Sequence, residues 1–421
     1  MRVLIFEPQF MGHNLVHVAR LVRGVRGLGC EAVVATSRQA IRSAEFALHL
    51  APLASDFRAL PLDGFTTDRH AVRLQTGGLR GATRVYQALK SAIARAAPDH
   101  VYVPYGNFLA RIAAAPFGLT SALRRAGAEA ETLIVGGRYL YPRPGLQHRW
   151  RQWLLLEAIS RGPWRSVFHL DDAAYGAFQR HGGRMARVGK LLPEPVGEHP
   201  LTRRVDARHA LGLPGAGRLL AVIGLIERRK GLDALTSALR QAGGALKPTD
   251  RLALIGPQHP EVTRLLSTDY ADLVAAGRVV CVDRRLTEAD MVRAACAADV
   301  VAAVYPHHPY ASGSLVVAAR ARRPVLGSST GWIRRTIDQF QLGRVCDPAD
   351  AAGVCRAVVE SLAGAARYQP SPAAERLVEF VGDRNYIALW TARLRRRMGL
   401  GPSPDMRSWD WALGGVRRAA A

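Results

Sequence analysis

Lysine is nearly missing from this 421-residue chain: it occurs only at Lys90, Lys190, Lys230 and Lys247, although Lys and Arg together number 58 against 34 Asp and Glu. The formal charge of +24 is therefore almost all arginine. Such a bias, with abundant Ala and Gly, is what a GC-rich genome produces, and it leaves two readings open: a solvated basic surface, or contact with an anionic membrane face or a phosphorylated substrate. Nucleic acid is not an expected partner, because no recognisable nucleic-acid module accompanies the charge. Cysteine is also sparse. Cys30, Cys281, Cys296, Cys346 and Cys355 are odd in number and scattered, with no C-x-x-C spacing and no paired His nearby, which excludes a disulfide framework and a zinc site. They read as reduced core residues, and no metal is expected. No apolar run approaches the roughly 18 residues of a membrane span, since even residues 152–159 are interrupted by Glu157. The opening MRVLIFEPQF has a strand pattern rather than that of a signal peptide, so a cytoplasmic location is expected. A G-x-G-x-x-G loop is missing too, which argues against an ordinary dinucleotide site.

What remains is a strand and helix alternation long enough for two domains of roughly 200 residues each. Residues 2–7 form the first expected strand, and Leu15, Val18, Leu21, Val22, Val25 and Leu28 then recur at helical spacing before a second strand over 31–36. This is the opening of a doubly wound sheet, whose ligands bind at the carboxyl ends of strands. The first such loop carries Gly12 and His13. Residues 52–81 read as a polar loop. A helix over 82–97 and strands over 100–104, 131–135 and 166–170 complete the first domain. Arg138, after the second of these strands, is a secondary phosphate candidate beside the simpler reading of turn chemistry. Residues 141–164 interleave Trp150, Trp153 and Trp164 with Arg143, Arg149, Arg151 and Arg161. That segment fits a membrane interface, and it fits core packing with snorkelling arginines equally well. Asp171 and Asp172 have no third ligand at metal-binding spacing, and Asp172 is expected to cap a helix.

The second half restarts the alternation. A strand over 219–223 ends at Gly224, and Glu227-Arg228-Arg229-Lys230-Gly231 precedes a helix over 232–241. Three consecutive cations at the start of a helix oppose its dipole unless something negative binds there. Strands over 251–255 and 279–282 follow, the latter leading into a loop with Asp283, Arg284 and Arg285, and then a helix over 288–298. The strand over 300–305 runs through a polar loop to Ser312-Gly313-Ser314, which opens an apolar helix over 315–322. Ser312 suits an N-cap, Gly313 allows close approach to the backbone, and the helix N-terminus offers aligned N–H groups to a phosphate.

Two stretches carry a family resemblance: Lys230-Gly231-Leu232-Asp233-Ala234-Leu235, and Ser312-Gly313-Ser314 followed by the run Arg323-Pro324-Val325-Leu326-Gly327-Ser328. Together they resemble the donor-binding segments of family-4-type glycosyltransferases of the GT-B fold. The resemblance is good over residues 215–345 and moderate over the first 40. It implies an α/β protein with two Rossmann-like doubly wound domains facing a central cleft. Residues 1–197 would form the acceptor domain, 198–217 a linker, 218–375 the donor domain, 376–399 a helix crossing back with a break near Gly382, and 400–421 a mobile tail holding Trp409 and Trp411. It further implies sugar transfer from a nucleotide-diphosphate sugar, hexosyltransferase-like, without a metal or other cofactor and with retention of configuration. The acceptor would be a glycan or lipid-linked molecule in cell-surface polysaccharide synthesis, reached at the inner face of an anionic membrane.

By the same resemblance Lys230, with Arg228 and Arg229, neutralises the leaving diphosphate, and His13 faces the reaction centre. Gly12, Gly224, Glu227, Arg285, Ser312, Gly313 and Ser314 line the nucleotide sugar. Three departures stand out. The family's Arg, usually right after the glycine, falls at Leu225, so Arg228 or Arg229 serves in its place. The family's paired glutamates fall at Pro309 and Val317, and its usual His after the 100–104 strand is replaced by Tyr105 or Asn107. The rival expectation is thus a degenerate GT-B protein that binds a nucleotide sugar or a protein partner without catalysis.

Overall fold

The computed structural model describes residues 1–10, 14–65, 78–107, 118–135, 140–141 and 145–409. Gly12, His13, Arg138, Arg143 and Trp411 lie outside them. The chain divides into two compact units, Met1–Pro193 with Arg384–Ala421, and Glu194–Asp383.

The first unit is built on seven strands: β1 (Arg2–Phe6), β2 (Glu31–Ser37), β3 (Phe57–Leu62), β4 (His100–Val103), β5 (Glu129–Ile134), β6 (Trp164–His169) and β7 (Gly189–Leu191). They pair in parallel in the order β3-β2-β1-β4-β5-β6-β7. Helices on both faces bury Val3, Leu4, Ile5 and Phe6 completely, which is why β1 reads as a continuous apolar run instead of an alternation. The strand β3 was expected to be loop. Its Arg58 and Pro61 hide the pattern, and both are tolerated because β3 is an edge strand. Asp171, one residue earlier than the expected cap, accepts from the Ala173 N–H at 2.7 Å. The helix Asp383–Arg397 follows a break at Gly382, whose backbone is extended. It packs on the first unit, where the Tyr386 hydroxyl lies 2.8 Å from His17 Nδ1 and Arg393 holds Glu129 through two contacts of 2.6 and 2.8 Å.

The second unit repeats the plan with β8 (Leu219–Ile223), β9 (Arg251–Ile255), β10 (Val279–Val282), β11 (Val300–Ala303), β12 (Val325–Ser328) and β13 (Gly343–Cys346). All pairs are parallel, in the order β10-β9-β8-β11-β12-β13. The strand β13 is short, largely exposed at its start and on an edge, so it escaped the sequence pattern. Residues 198–217, read as a linker, contain the helix Arg204–Ala210. Its Arg208 is buried and donates to Asp299 Oδ2 at 2.6 Å and to the carbonyls of Ala297, Gly215 and Gly217 at 2.8–3.0 Å. Asp299 in turn accepts from the Leu219 N–H, fixing the amino ends of β8 and β11. The cysteines follow expectation at Cys30, Cys296 and Cys346, which are buried; Cys281 instead lies exposed on the edge strand β10.

Candidate anion-binding site at the sheet switch point

Strand order in the second unit reverses between β8 and β11, so the loops leaving their carboxyl ends diverge and leave room for a ligand. Glycines let the backbone pack closely at the base of these loops. Gly231 has φ +78°, and a Cβ there would stand 1.9 Å from the Val304 carbonyl oxygen, so only glycine lets the end of β11 pack on the start of the helix Leu232–Gln241. Gly256 does the same one strand away, where a Cβ would meet the Gly224 carbonyl at 2.3 Å. Gly224, at φ +91°, turns the chain out of β8 and donates its N–H to Ile255 at 3.0 Å.

Lys230 lies beneath this turn. Its side chain is buried, and its Nζ donates to the Ile223 carbonyl at 2.5 Å and sits 5.9 Å from the centre of the Tyr305 ring. Burial pushes the ammonium pKa below its ordinary value; the neighbouring Arg229 adds to that, while Tyr305 and Glu227 oppose it. An ammonium so desolvated, with a single carbonyl as its hydrogen-bond acceptor among the described residues, has unused donor capacity. Tyr305, two residues past the end of β11, extends the arrangement. Its hydroxyl meets Ser314 Oγ at 3.1 Å, and its carbonyl accepts from Ser328 Oγ at 2.8 Å. The chain Lys230, Tyr305, Ser314 therefore links the β8 loop to the first turn of the helix Gly313–Arg320.

Ser312 occupies the N-cap position of that helix, but its hydroxyl makes no capping bond. The Leu315 N–H bonds the Ser312 carbonyl at 3.1 Å, and a Cβ on Gly313 would meet nothing closer than Glu194 Oε1, at 3.5 Å. A carboxylate thus already lies at the positive end of this helix dipole, where anions are favoured. The loop before it is aromatic: the His308 ring packs edge-on against Tyr305 and Tyr310 at 5.3 and 5.4 Å. Burial is the main cause that lowers the His308 pKa to about 4, with Arg229 and Lys230 adding to it, so the imidazole is neutral at physiological pH.

The remaining expected residues are distributed differently. Arg228 pairs with Asp233 at 2.8 Å and Glu261 at 3.6 Å, and Arg229 pairs with Glu227. These pairs are half exposed and correspondingly weak, so a phosphate can compete for either guanidinium. Arg285 lies exposed after β10, the edge strand two positions from β8, and no described contact joins it to Lys230. Pro309 and Val317, where the resembled family has glutamates, serve packing: Pro309 accepts from the Trp332 N–H at 3.2 Å, and Val317 is buried. Tyr305, His308 and Glu194 were not singled out from the sequence. Only Tyr305 left a signal, as the aromatic residue ending an apolar strand.

No known family model matches the chain, and no curated protein sequence does. Solved structures do. Sucrose-phosphate synthase from Thermosynechococcus elongatus is 18% identical, with a TM-score of 0.65 over 95% of this chain and 99% of that one. HepE from Anabaena, solved in complex with UDP-glucose, is 14% identical with a TM-score of 0.63, over 94% of this chain and 100% of that one. WaaG, a glycosyltransferase involved in lipopolysaccharide biosynthesis, is 15% identical with a TM-score of 0.60, over 90% and 95%. The fold is GT-B. The two seven- and six-stranded parallel sheets are the two Rossmann-like halves that GT-B chains share, and the Lys230 site stands at the switch point of the second.

Proposed function

We propose that this GT-B protein is a glycosyltransferase that moves a sugar from a nucleotide-diphosphate donor to an acceptor hydroxyl. The observation that carries the reading is the buried, singly bonded Lys230 ammonium at the switch point. A buried cation with so few partners is costly to keep, and a diphosphate would supply the missing counter-charge. As the bond from sugar to diphosphate breaks, negative charge grows on the leaving phosphate, and Lys230 together with the N–H groups at Gly313 and Ser314 would stabilise it. Preorganised donors of this kind are each worth roughly 3 kcal/mol in the transition state. Solved neighbours of the same fold, one of them holding UDP-glucose, support a nucleotide sugar as the ligand. The finer reading is a metal-independent, retaining hexosyltransferase that builds a cell-surface glycan or polysaccharide from a glycan or lipid-linked acceptor in the cytoplasm.

Calorimetric titration with UDP, GDP and ADP, in parallel with Lys230→Ala, tests this. Binding of one diphosphate that is lost in the variant identifies the donor base; no binding to any of the three by the folded protein removes the transferase reading. A second reading is favoured by Pro309 and Val317, which leave two family carboxylate positions empty of charge. It is a GT-B protein that binds the nucleotide sugar without transferring it. Release of free sugar from the bound donor, measured over hours, separates the two.

A further inference from the structure

The helix Leu146–Arg161 is apolar on two opposite faces. Leu155, Leu156 and Ile159 are buried against the first unit, while Leu146, Trp150, Trp153 and Leu154 are 82, 62, 52 and 37% exposed. With about 100° of rotation per residue, these four exposed side chains fall within an arc of about 100°. Two exposed tryptophans on one stripe, not scattered singly, mark a surface that meets something. Arg149 and Arg151 are exposed on either side of the stripe, and neither pairs with a carboxylate among the described residues. The Glu157 carboxylate at the far end is held by Arg161 at 2.8 Å and by His181 at 3.2 Å. Between residues 145 and 190 the chain carries eight Lys and Arg against three Asp and Glu.

We infer that this face of the helix Leu146–Arg161 docks on an anionic lipid membrane. Trp150 and Trp153 would enter the headgroup boundary with Leu146 and Leu154, and Arg149 and Arg151 would snorkel to lipid phosphates on both sides. Charge decides between this and a second copy of the chain. In a two-fold helix pairing the stripes meet, and the flanking arginines are set against arginines, whereas anionic lipid pairs with them. No helix among the described residues is long and apolar enough to cross a membrane, so the contact is a surface one. It does not depend on the donor site.

The full chain should co-sediment with phosphatidylcholine vesicles containing one quarter phosphatidylglycerol at least tenfold better than with pure phosphatidylcholine. Trp150→Ser with Trp153→Ser should reduce that binding by tenfold or more. Arg149→Gln with Arg151→Gln should weaken it by roughly 25-fold at low salt, about fivefold per arginine, and by less at high salt. Both double variants lie on an exposed face and should bind UDP as the parent does, so a failure here is distinguishable from failure of the donor reading. The inference is overturned if the parent protein stays in the supernatant with both vesicle types. It is overturned equally if the tryptophan variant binds unchanged, or if that variant converts a dimer to a monomer without any vesicle binding.

Discussion

Replacing Lys230 with methionine separates a functional cation from a structural one. The substitution keeps chain length and volume and removes the charge and its bond to Ile223. In the fold, burial lowers the lysine pKa; the unfolded chain therefore holds this proton more readily. Stability from this group rises with pH between the lowered folded value and the ordinary one near 10.5, and the full cost is present below the folded value. Methionine loses a charged hydrogen bond of about 1.5–3 kcal/mol and escapes a desolvation cost of several kcal/mol. The second unit should then be as stable as the parent or about 1 kcal/mol more so. Diphosphate binding should move the other way, weakening roughly 10- to 150-fold with the loss of a charge-assisted contact of 1.5–3 kcal/mol. Urea unfolding with and without UDP measures both quantities. At the UDP concentration that is a hundred times the parent's Kd, the parent should be stabilised by about 2.7 kcal/mol and the variant by only about 0.3–1.4 kcal/mol. A variant that is destabilised by about 3 kcal/mol yet binds UDP normally would show that Lys230 is there to hold the fold, and the site would have to be sought elsewhere.

Gly231→Ala should destabilise the second unit by about 3 kcal/mol or more, because a left-handed backbone and a backbone oxygen 1.9 Å from the new Cβ leave no room to relax; urea melts check this, and a loss under about 1 kcal/mol would contradict the packing. Gly313→Ala should leave stability unchanged, its nearest neighbour being Glu194 Oε1 at 3.5 Å, but should weaken UDP binding roughly tenfold, about 1.4 kcal/mol, if a phosphate approaches that backbone. Glu7, buried after β1 with its carboxyl raised by burial to about 8, is protonated in the fold at neutral pH. Its unfolded counterpart ionises above about 4.5, so stability falls by about 1.4 kcal/mol per pH unit from there to about 8, and Glu7→Gln should abolish that slope in melts at pH 5 and 8.

The strands that position the site were legible because they are buried on both faces. β8 and β11 are unbroken apolar runs, and each ends in a residue type that announces a turn or a cap. Edge strands were not. β3 carries Arg58 and Pro61 and β13 carries Arg344, which an edge tolerates and a pattern search discards. The helix Arg204–Ala210 was lost for another reason: its fixing contact is a buried arginine meeting Asp299, 91 residues away. The expected cations are occupied mainly by near neighbours in the chain, Arg228 by Asp233 and Arg229 by Glu227, pairings that spacing alone does not announce, and Glu261 adds a longer-range contact to Arg228 at 3.6 Å. Tyr305 and Ser314 are nine residues apart and unremarkable in sequence; they become one hydrogen-bonded pair because a strand end and a helix start meet at the switch point.

The two buried cations of the second unit show what distinguishes holding a fold from holding a ligand. Arg208 and Lys230 are both removed from water, and desolvation alone would treat them alike. Arg208 sits at the amino ends of the strands, and its guanidinium is surrounded by the Asp299 carboxylate and three carbonyls, so its charge and its donors are used up within the fold. Lys230 sits at the carboxyl end of β8 with one carbonyl, a ring face and no paired carboxylate among the described residues, two residues before a helix start and linked through Tyr305 to a second one. An ammonium in that condition gains most from a partner that brings negative charge, and Gly224 and Gly313 keep the backbone around it free of side chains. The asymmetry between the two ends of one sheet is thus chemical as well as topological: the amino end is closed by internal ion pairing, and at the carboxyl end the buried cation has one carbonyl as its acceptor among the described residues.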